Sequence, residues 1–143
     1  MPDASADQLF DLADQIALIS SELLRFRLRQ RASLSATDRT RLEAAEVALD
    51  QACAQMRAQG ITALGRQSKA ARDEVASTAQ AAEAQLRRLK KIERVLAIAA
   101  SALGLAQAAM AGKPKDITQA LGQLKTAIST SVWLWARMAS LLV

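Results

Sequence analysis

The apolar residues of this 143-residue chain recur at alternating steps of three and four along most of its length. This spacing puts them on one stripe of an α-helix, the pattern of helices that pack side by side at a shallow angle. The composition agrees, because 32 Ala and 20 Leu stand against five Val and no Tyr. Residues of these types favour helices and disfavour strands. The sequence therefore predicts an all-α fold in a single helical domain, 1–143.

Turn and capping residues divide the pattern into four long helices. A helix from about Ser5 to about Arg31 precedes a second helix over residues 36–59, which Ser35 caps and Gly60 ends. The third helix is predicted to run without a kink from about Lys69 to about Ala111, since no proline interrupts it. The pair Gly112 and Pro114 then forces a turn, and Asp116 opens the fourth helix.

The four predicted helices differ in length. At about 1.5 Å per residue the third spans roughly 65 Å and is the longest, while the others span roughly 35–45 Å. The prediction is an elongated up-down bundle in which a three-helix base, residues 5–94, carries an apolar C-terminal helical hairpin, residues 95–143. Because a continuous third helix outreaches the base, the hairpin is expected to project beyond it.

Basic residues gather where the predicted base meets the hairpin. This basic collar, with Trp133 and Trp135 at the same height, is typical of a protein at a membrane surface, although solvated basic faces are also ordinary on long helices. The collar consists of Arg25, Arg29, Arg39, Arg41, Arg87, Arg88, Lys90, Lys91, Arg94 and Arg137.

The hairpin supplies the predicted partner interface. Two helices alone cannot bury their apolar side chains, and exposed apolar surface tends to mark an interface. Small residues at every fourth position from Ala100 also permit close helix approach. The uncharged segment 95–112 reaches the lower length limit for a membrane span, but its Ala content favours a buried bundle helix. The predicted interface residues are Leu96, Ala100, Leu103, Gly104, Ala108, Ile128, Trp133 and Trp135.

The sequence predicts neither catalysis nor a bound cofactor or metal. It contains no His and no Tyr, which removes the commonest general base and the commonest neutral ligand for metals. Residues 60–67 have the glycine spacing of a phosphate-binding loop, but Arg66 and Gln67 stand where Lys and Ser or Thr are required. Cys53 lies near an apolar stripe and is interpreted as a buried small hydrophobe.

These observations lead to two hypotheses on function. The first is a non-enzymatic helical interaction protein that self-associates or docks a helical partner through the apolar hairpin. The alternative is a protein that associates with or inserts into an anionic membrane, using the same hairpin and the basic collar; its plan is similar to that of α-helical pore-forming proteins, without a shared motif. Nucleic-acid binding ranks third, because stacking aromatics and a recognisable helix-turn-helix are missing. The expected location is the bacterial cytoplasm, with membrane association as the alternative.

Overall fold

The computed structural model describes the backbone of residues 4–141 and the side-chain surroundings of residues 12–129. Over those residues the chain is helical, with no strand, which confirms the all-α prediction. The helices are α1 Ala4–Arg29, α2 Ala36–Gln59, α3 Thr62–Gly65, α4 Lys69–Leu86, α5 Ile92–Ala111 and α6 Pro114–Leu141.

Local capping explains where several of these helices begin and end. The hydroxyl of Ser35 accepts a hydrogen bond from the Asp38 amide at 3.1 Å, as predicted, and Ser68 caps α4 in the same way. Gly60 ends α2 at φ 78°, a conformation that favours glycine, and its amide donates to the Met56 carbonyl. The hydroxyls of Ser35 and Ser68 satisfy amides that the helices themselves leave unpaired.

The long helices run up and down in one bundle. The α1–α2 hairpin is antiparallel, and α4 runs parallel to α1, because Arg29 near the end of α1 donates to the Leu86 carbonyl at the end of α4. From that end α5 descends beside α2, and α6 returns antiparallel to α5. In cross-section the order is α1, α2, α5, α6 and α4, closing again on α1, with α5 also touching α1 across the centre.

One hydrophobic core extends through all six helices. The predicted stripe of α1 is buried where it is described, from Leu12 through Ile16 and Ile19 to Phe26. The four-residue helix α3 closes one end of the bundle with Ile61 and Leu64, which are fully buried. The order of the helices places the core on the axis of the bundle, so the outward faces carry the candidate functional surfaces.

The prediction of a continuous third helix is wrong. The chain leaves helical conformation after Leu86 and re-enters it at Ile92, giving α4 of 18 residues and α5 of 20. The apolar stripe predicted for α5 is buried only in part: its members Ala99 and Ala106 are buried. Leu96 and Leu103 are only half-buried, while Val95 and Ala102 are fully buried. The bundle is therefore not the predicted arrangement of four long helices.

Burial explains why the chain turns at this point. A straight helix would leave the apolar side of α5 uncovered, whereas the turn buries Val95, Ile98 and Leu105 completely, each worth about 1.5–3 kcal/mol. The few helical hydrogen bonds lost in the turn are worth only about 0.5–1.5 kcal/mol each. Like charges four residues apart, such as Arg87 and Lys91, would also weaken a continuous helix by about 0.2–0.5 kcal/mol per pair.

The predicted projection of residues 95–143 is also wrong. Helices α5 and α6 do form an antiparallel hairpin, joined by the turn at Gly112 and Lys113, but α5 packs against α1, α2 and α3 as well. The apolar residues of α5 are covered by the rest of the bundle. A binding surface on this part of the chain must therefore lie on its lateral side.

Candidate functional site

A shallow apolar groove runs between the parallel helices α2 and α5. Its volume is about 400 Å³, and its walls bring together three of the predicted interface residues, Leu96, Ala100 and Leu103. On the α2 side the groove is lined by Ala44 and Ala45, whose small side chains leave room for an inserted one. The remaining lining residues are Ala99 and Arg41.

Arg41 closes one end of this groove and is already paired. Its guanidinium donates to both carboxylate oxygens of Glu93, at 3.1 and 3.3 Å, and to Asp38 at 3.4 Å. The hydrogen bonds from Arg41 lower the pKa of Glu93, and the attraction between the two charges adds to this effect. The groove therefore presents apolar surface with its charged end neutralised.

Exposed large apolar side chains lie on the helices beside this groove. Leu24 and Leu28, four residues apart on one face of α1, are 40% and 58% exposed, and Val47 on α2 is 54% exposed. Helix α2 lies between α1 and α5 and has no other long neighbour in the described part of the chain. The outer sides of three adjacent helices thus carry apolar residues that the bundle does not cover. Leu24, Leu28 and Val47 were not predicted as interface residues, because they lie off the apolar stripes that the sequence predicts to be buried.

The other predicted interface residues lie elsewhere. Gly104 and Ala108 line a second groove, between α5 and α6, of about 520 Å³. A β-carbon added at Gly104 would meet no atom within 4 Å, so none of the described residues packs closely on it. Ile128 is half-buried against the core. The side chains of Trp133 and Trp135 lie outside the described residues.

The described residues of the basic collar lie together at one end of the bundle. The α1–α2 turn and the α4–α5 turn meet there, since Gln30 and Ser33 of the first share a groove of about 390 Å³ with Lys90 and Lys91 of the second. The predicted members Arg25, Arg29, Arg39, Arg41, Arg87, Arg88, Lys90, Lys91 and Arg94 lie on these two turns or on the helical turns beside them. The side chain of Arg137 lies outside the described residues.

A buried carboxylate anchors part of this end. Glu22 is 1% exposed, and its Oε1 accepts hydrogen bonds from Arg25 and, at 3.3 Å, from Nε of Arg87. Arg87 also pairs with Glu83 on its own helix. The hydrogen bond to Glu22 raises the pKa of Arg87, and the charges of Glu83 and Glu22 act in the same direction. The cluster joins α1 to α4 and was not predicted from sequence, because Glu22 follows no motif.

Cys53, which the sequence predicts to be a buried small hydrophobe, is buried in the structure. Cys53 is a free, buried thiol that donates to the Ala13 carbonyl at 3.3 Å, and burial raises its pKa above the ordinary value. A thiol in this state is a weak nucleophile. Among the side chains that the structure describes, no three of His, Cys, Asp and Glu gather closely enough to hold a metal ion.

Helix α5 is long and apolar enough to cross a membrane by composition. It has 20 residues with a mean hydropathy of 1.5, and it is the one such helix in the described part of the chain. In the bundle, 44% of that stretch is buried against the other helices. The core helix of a soluble bundle has the same composition.

The fold and its surfaces define an all-α helical bundle with an apolar lateral face and a basic end. Comparisons of the chain with protein-family models, with curated proteins and with solved structures find no match. The functional argument therefore rests on the surfaces themselves.

Proposed function

We propose that this chain is a non-enzymatic helical interaction protein that self-associates through the outer face of α2 and the helices on either side of it. This outer face consists of Leu24, Leu28, Ala44, Val47, Leu96, Ala100 and Leu103. The observation that carries the proposal is the juxtaposition of an unfilled apolar groove with uncovered leucines on the neighbouring helix. Contiguous exposed apolar surface of this kind marks interaction sites in soluble proteins.

A second copy of the chain fits this face because the face is self-complementary. Helix α2 lies in the middle, with the leucines on the α1 side and the groove on the α5 side. A two-fold axis parallel to α2 and just outside its outer face would set Leu24 and Leu28 of each copy opposite the groove of the other, which is an isologous contact. Leucine side chains inserted between alanines form the knobs-into-holes packing that helices use.

The electrostatics of the groove favour an apolar helix as its occupant. Arg41 is its one charged lining residue, and Glu93 and Asp38 already neutralise it. An incoming leucine would therefore displace water from an apolar floor without separating an ion pair. This proposal keeps the predicted residues Leu96, Ala100 and Leu103 and replaces the projecting hairpin with a lateral contact.

The test is analytical ultracentrifugation of the wild type with two matched variants of α5. Ala100→Glu places a charge in the groove, while Ala97→Glu places the same charge at an exposed position of the same helix that does not line the groove. We expect a concentration-dependent dimer for the wild type and for Ala97→Glu. For Ala100→Glu we expect dimerisation at least 100-fold weaker, because the interface would bury an unpaired charge.

A second pair of variants tests the leucine side of the same contact. Leu28→Ser should weaken the dimer, whereas Leu18→Ser should not, because the 42% exposed Leu18 lies on the stripe of α1 that also carries Arg29, which contacts α4 rather than α2. Circular dichroism should show equal helix content in all four variants. A wild type that remains a compact monomer at the highest soluble concentration would refute self-association, and equal weakening by Ala97→Glu and Ala100→Glu would place the contact elsewhere.

A further inference from the structure

The basic end of the bundle concentrates more positive charge than the whole chain carries. Its two segments, residues 29–41 and 86–94, hold nine Lys and Arg against two acidic residues, Asp38 and Glu93, while the net charge of the chain is +5. The remainder of the molecule is therefore slightly acidic. The turn between α4 and α5 produces this separation, because it brings Arg87, Arg88, Lys90 and Lys91 to the same end as the α1–α2 turn.

Arg29 donates to the Leu86 carbonyl and lies over the Phe26 ring, and the other basic residues at this end fall into two sets. Arg25, Arg41 and Arg87 are held by Glu22, Glu93 and Glu83, so their charge is compensated within the bundle. A second set forms no ion pair in the described part of the chain, and all of its members are exposed except the half-buried Arg94. This unpaired set consists of Arg31, Arg39, Arg88, Lys90, Lys91 and Arg94.

We propose that the basic end is a docking surface for an anionic lipid bilayer, which the chain binds peripherally and reversibly with its long axis toward the membrane. The unpaired cations meet the anionic headgroups. Each Lys or Arg close to an anionic bilayer contributes about 1 kcal/mol, so the six unpaired residues together suffice for reversible attachment. Helix α5 stays in the core, so attachment requires no insertion of the hairpin.

The arrangement fits lipid better than it fits nucleic acid. The unpaired cations lie across the end of the bundle, on the α1–α2 and α4–α5 turns and at the starts of α2 and α5. No single helix presents them in a row that could enter the major groove of DNA. The described exposed surface at this end has no aromatic side chain for stacking on bases, because Phe26 is 1% exposed beneath Arg29. The surface is independent of the lateral face proposed for self-association, so either proposal can fail alone.

The experiment measures binding of the full chain to vesicles by co-flotation. Vesicles of phosphatidylserine with phosphatidylcholine are compared with pure phosphatidylcholine vesicles, and a duplex oligonucleotide serves as the competing polyanion. The test variant is Arg88→Gln/Lys90→Gln/Lys91→Gln. Its matched control, Arg66→Gln/Lys113→Gln/Lys115→Gln, removes the same charge from exposed positions near the opposite end of the bundle.

We expect the wild type and the control to float with the phosphatidylserine vesicles only, and the test variant to bind about 100-fold more weakly. Binding should also fall steeply as salt rises from about 0.15 M to about 1 M, because exposed charges are then screened within a few ångströms. Equal loss in the two triple variants, or equal binding to neutral vesicles, would overturn the proposal. So would tight oligonucleotide binding without vesicle binding, which would assign the basic end to nucleic acid.

Discussion

Nε of Arg87 lies 3.3 Å from Oε1 of Glu22 and so joins the last turn region of α4 to the middle of α1. Glu22 is the most buried charged residue among the described side chains, and its second oxygen, Oε2, has no hydrogen-bond donor among the described groups. A buried carboxylate that lacks compensation is costly. The pair therefore holds α1 and α4 in register beside the turn that creates the basic end.

Replacing Arg87 with Gln should destabilise the protein. The change leaves Glu22 with Arg25 as its single cationic partner among the described groups, and a buried carboxylate that loses a hydrogen bond is destabilising. Urea denaturation should show this loss, while the double variant Glu22→Gln/Arg87→Gln should recover part of it, because no buried charge is then left unpaired. Arg88→Gln is the control, since Arg88 forms no ion pair in the described part of the chain. Equal loss for Arg87→Gln and Arg88→Gln would mean that the pair contributes nothing.

The ion pair between Arg41 and Glu93 should make part of the stability depend on pH. Because the folded protein lowers the pKa of Glu93, this contribution is present above the unfolded pKa of about 4.3 and is lost as the pH falls through the lower folded value. An NMR titration of the Glu93 carboxyl should show the lowered pKa in the wild type and a higher one in Arg41→Gln. Arg39→Gln should leave the Glu93 titration unchanged. A titration of Glu93 unaffected by Arg41→Gln would contradict the pairing.

Substitution of Gly112 by Ala should destabilise the α5–α6 turn. A β-carbon at Gly112 would lie 2.6 Å from the Ala108 carbonyl oxygen and 2.9 Å from its Cα, and these backbone atoms cannot move aside cheaply. We expect a loss of about 1–3 kcal/mol in the free energy of unfolding, as for other overpacked sites.

Gly122→Ala is the matched control for the Gly112 substitution. Gly122 lies within α6, and a β-carbon there would meet no atom within 4 Å. Alanine is favoured over glycine in a helix by about 1 kcal/mol, so this variant should be slightly more stable than the wild type. Thermal unfolding of both variants measures the difference, and a neutral or stabilising Gly112→Ala would show that the turn relaxes.

The sequence was informative wherever a local signal acts within a few residues. The cap at Ser35, the end of α2 at Gly60 and the turn at Gly112 were all predicted, since each depends on the chemistry of one or two residues. The buried stripe of α1 was also predicted, because a long helix with a regular apolar pattern has one possible face for its core. The run of like charges from Arg87 to Arg94 was read as a surface feature, although the same repulsion between neighbouring turns was evidence for a break.

What the sequence determined by itself is the all-α class, the capped ends of α2 and the apolar residues available for a core. The tertiary structure decided where the chain reverses between Leu86 and Ile92. The reversal is favoured by the free energy of burying the apolar side chains of α5 against helices distant in sequence, and local helix propensity does not include this contribution. The same reversal decided which face of α5 is buried, left Leu96, Ala100 and Leu103 in a lateral groove, and gathered the basic residues at one end. Candidate surfaces on a bundle follow from how its helices are arranged, and that arrangement is set by long-range burial.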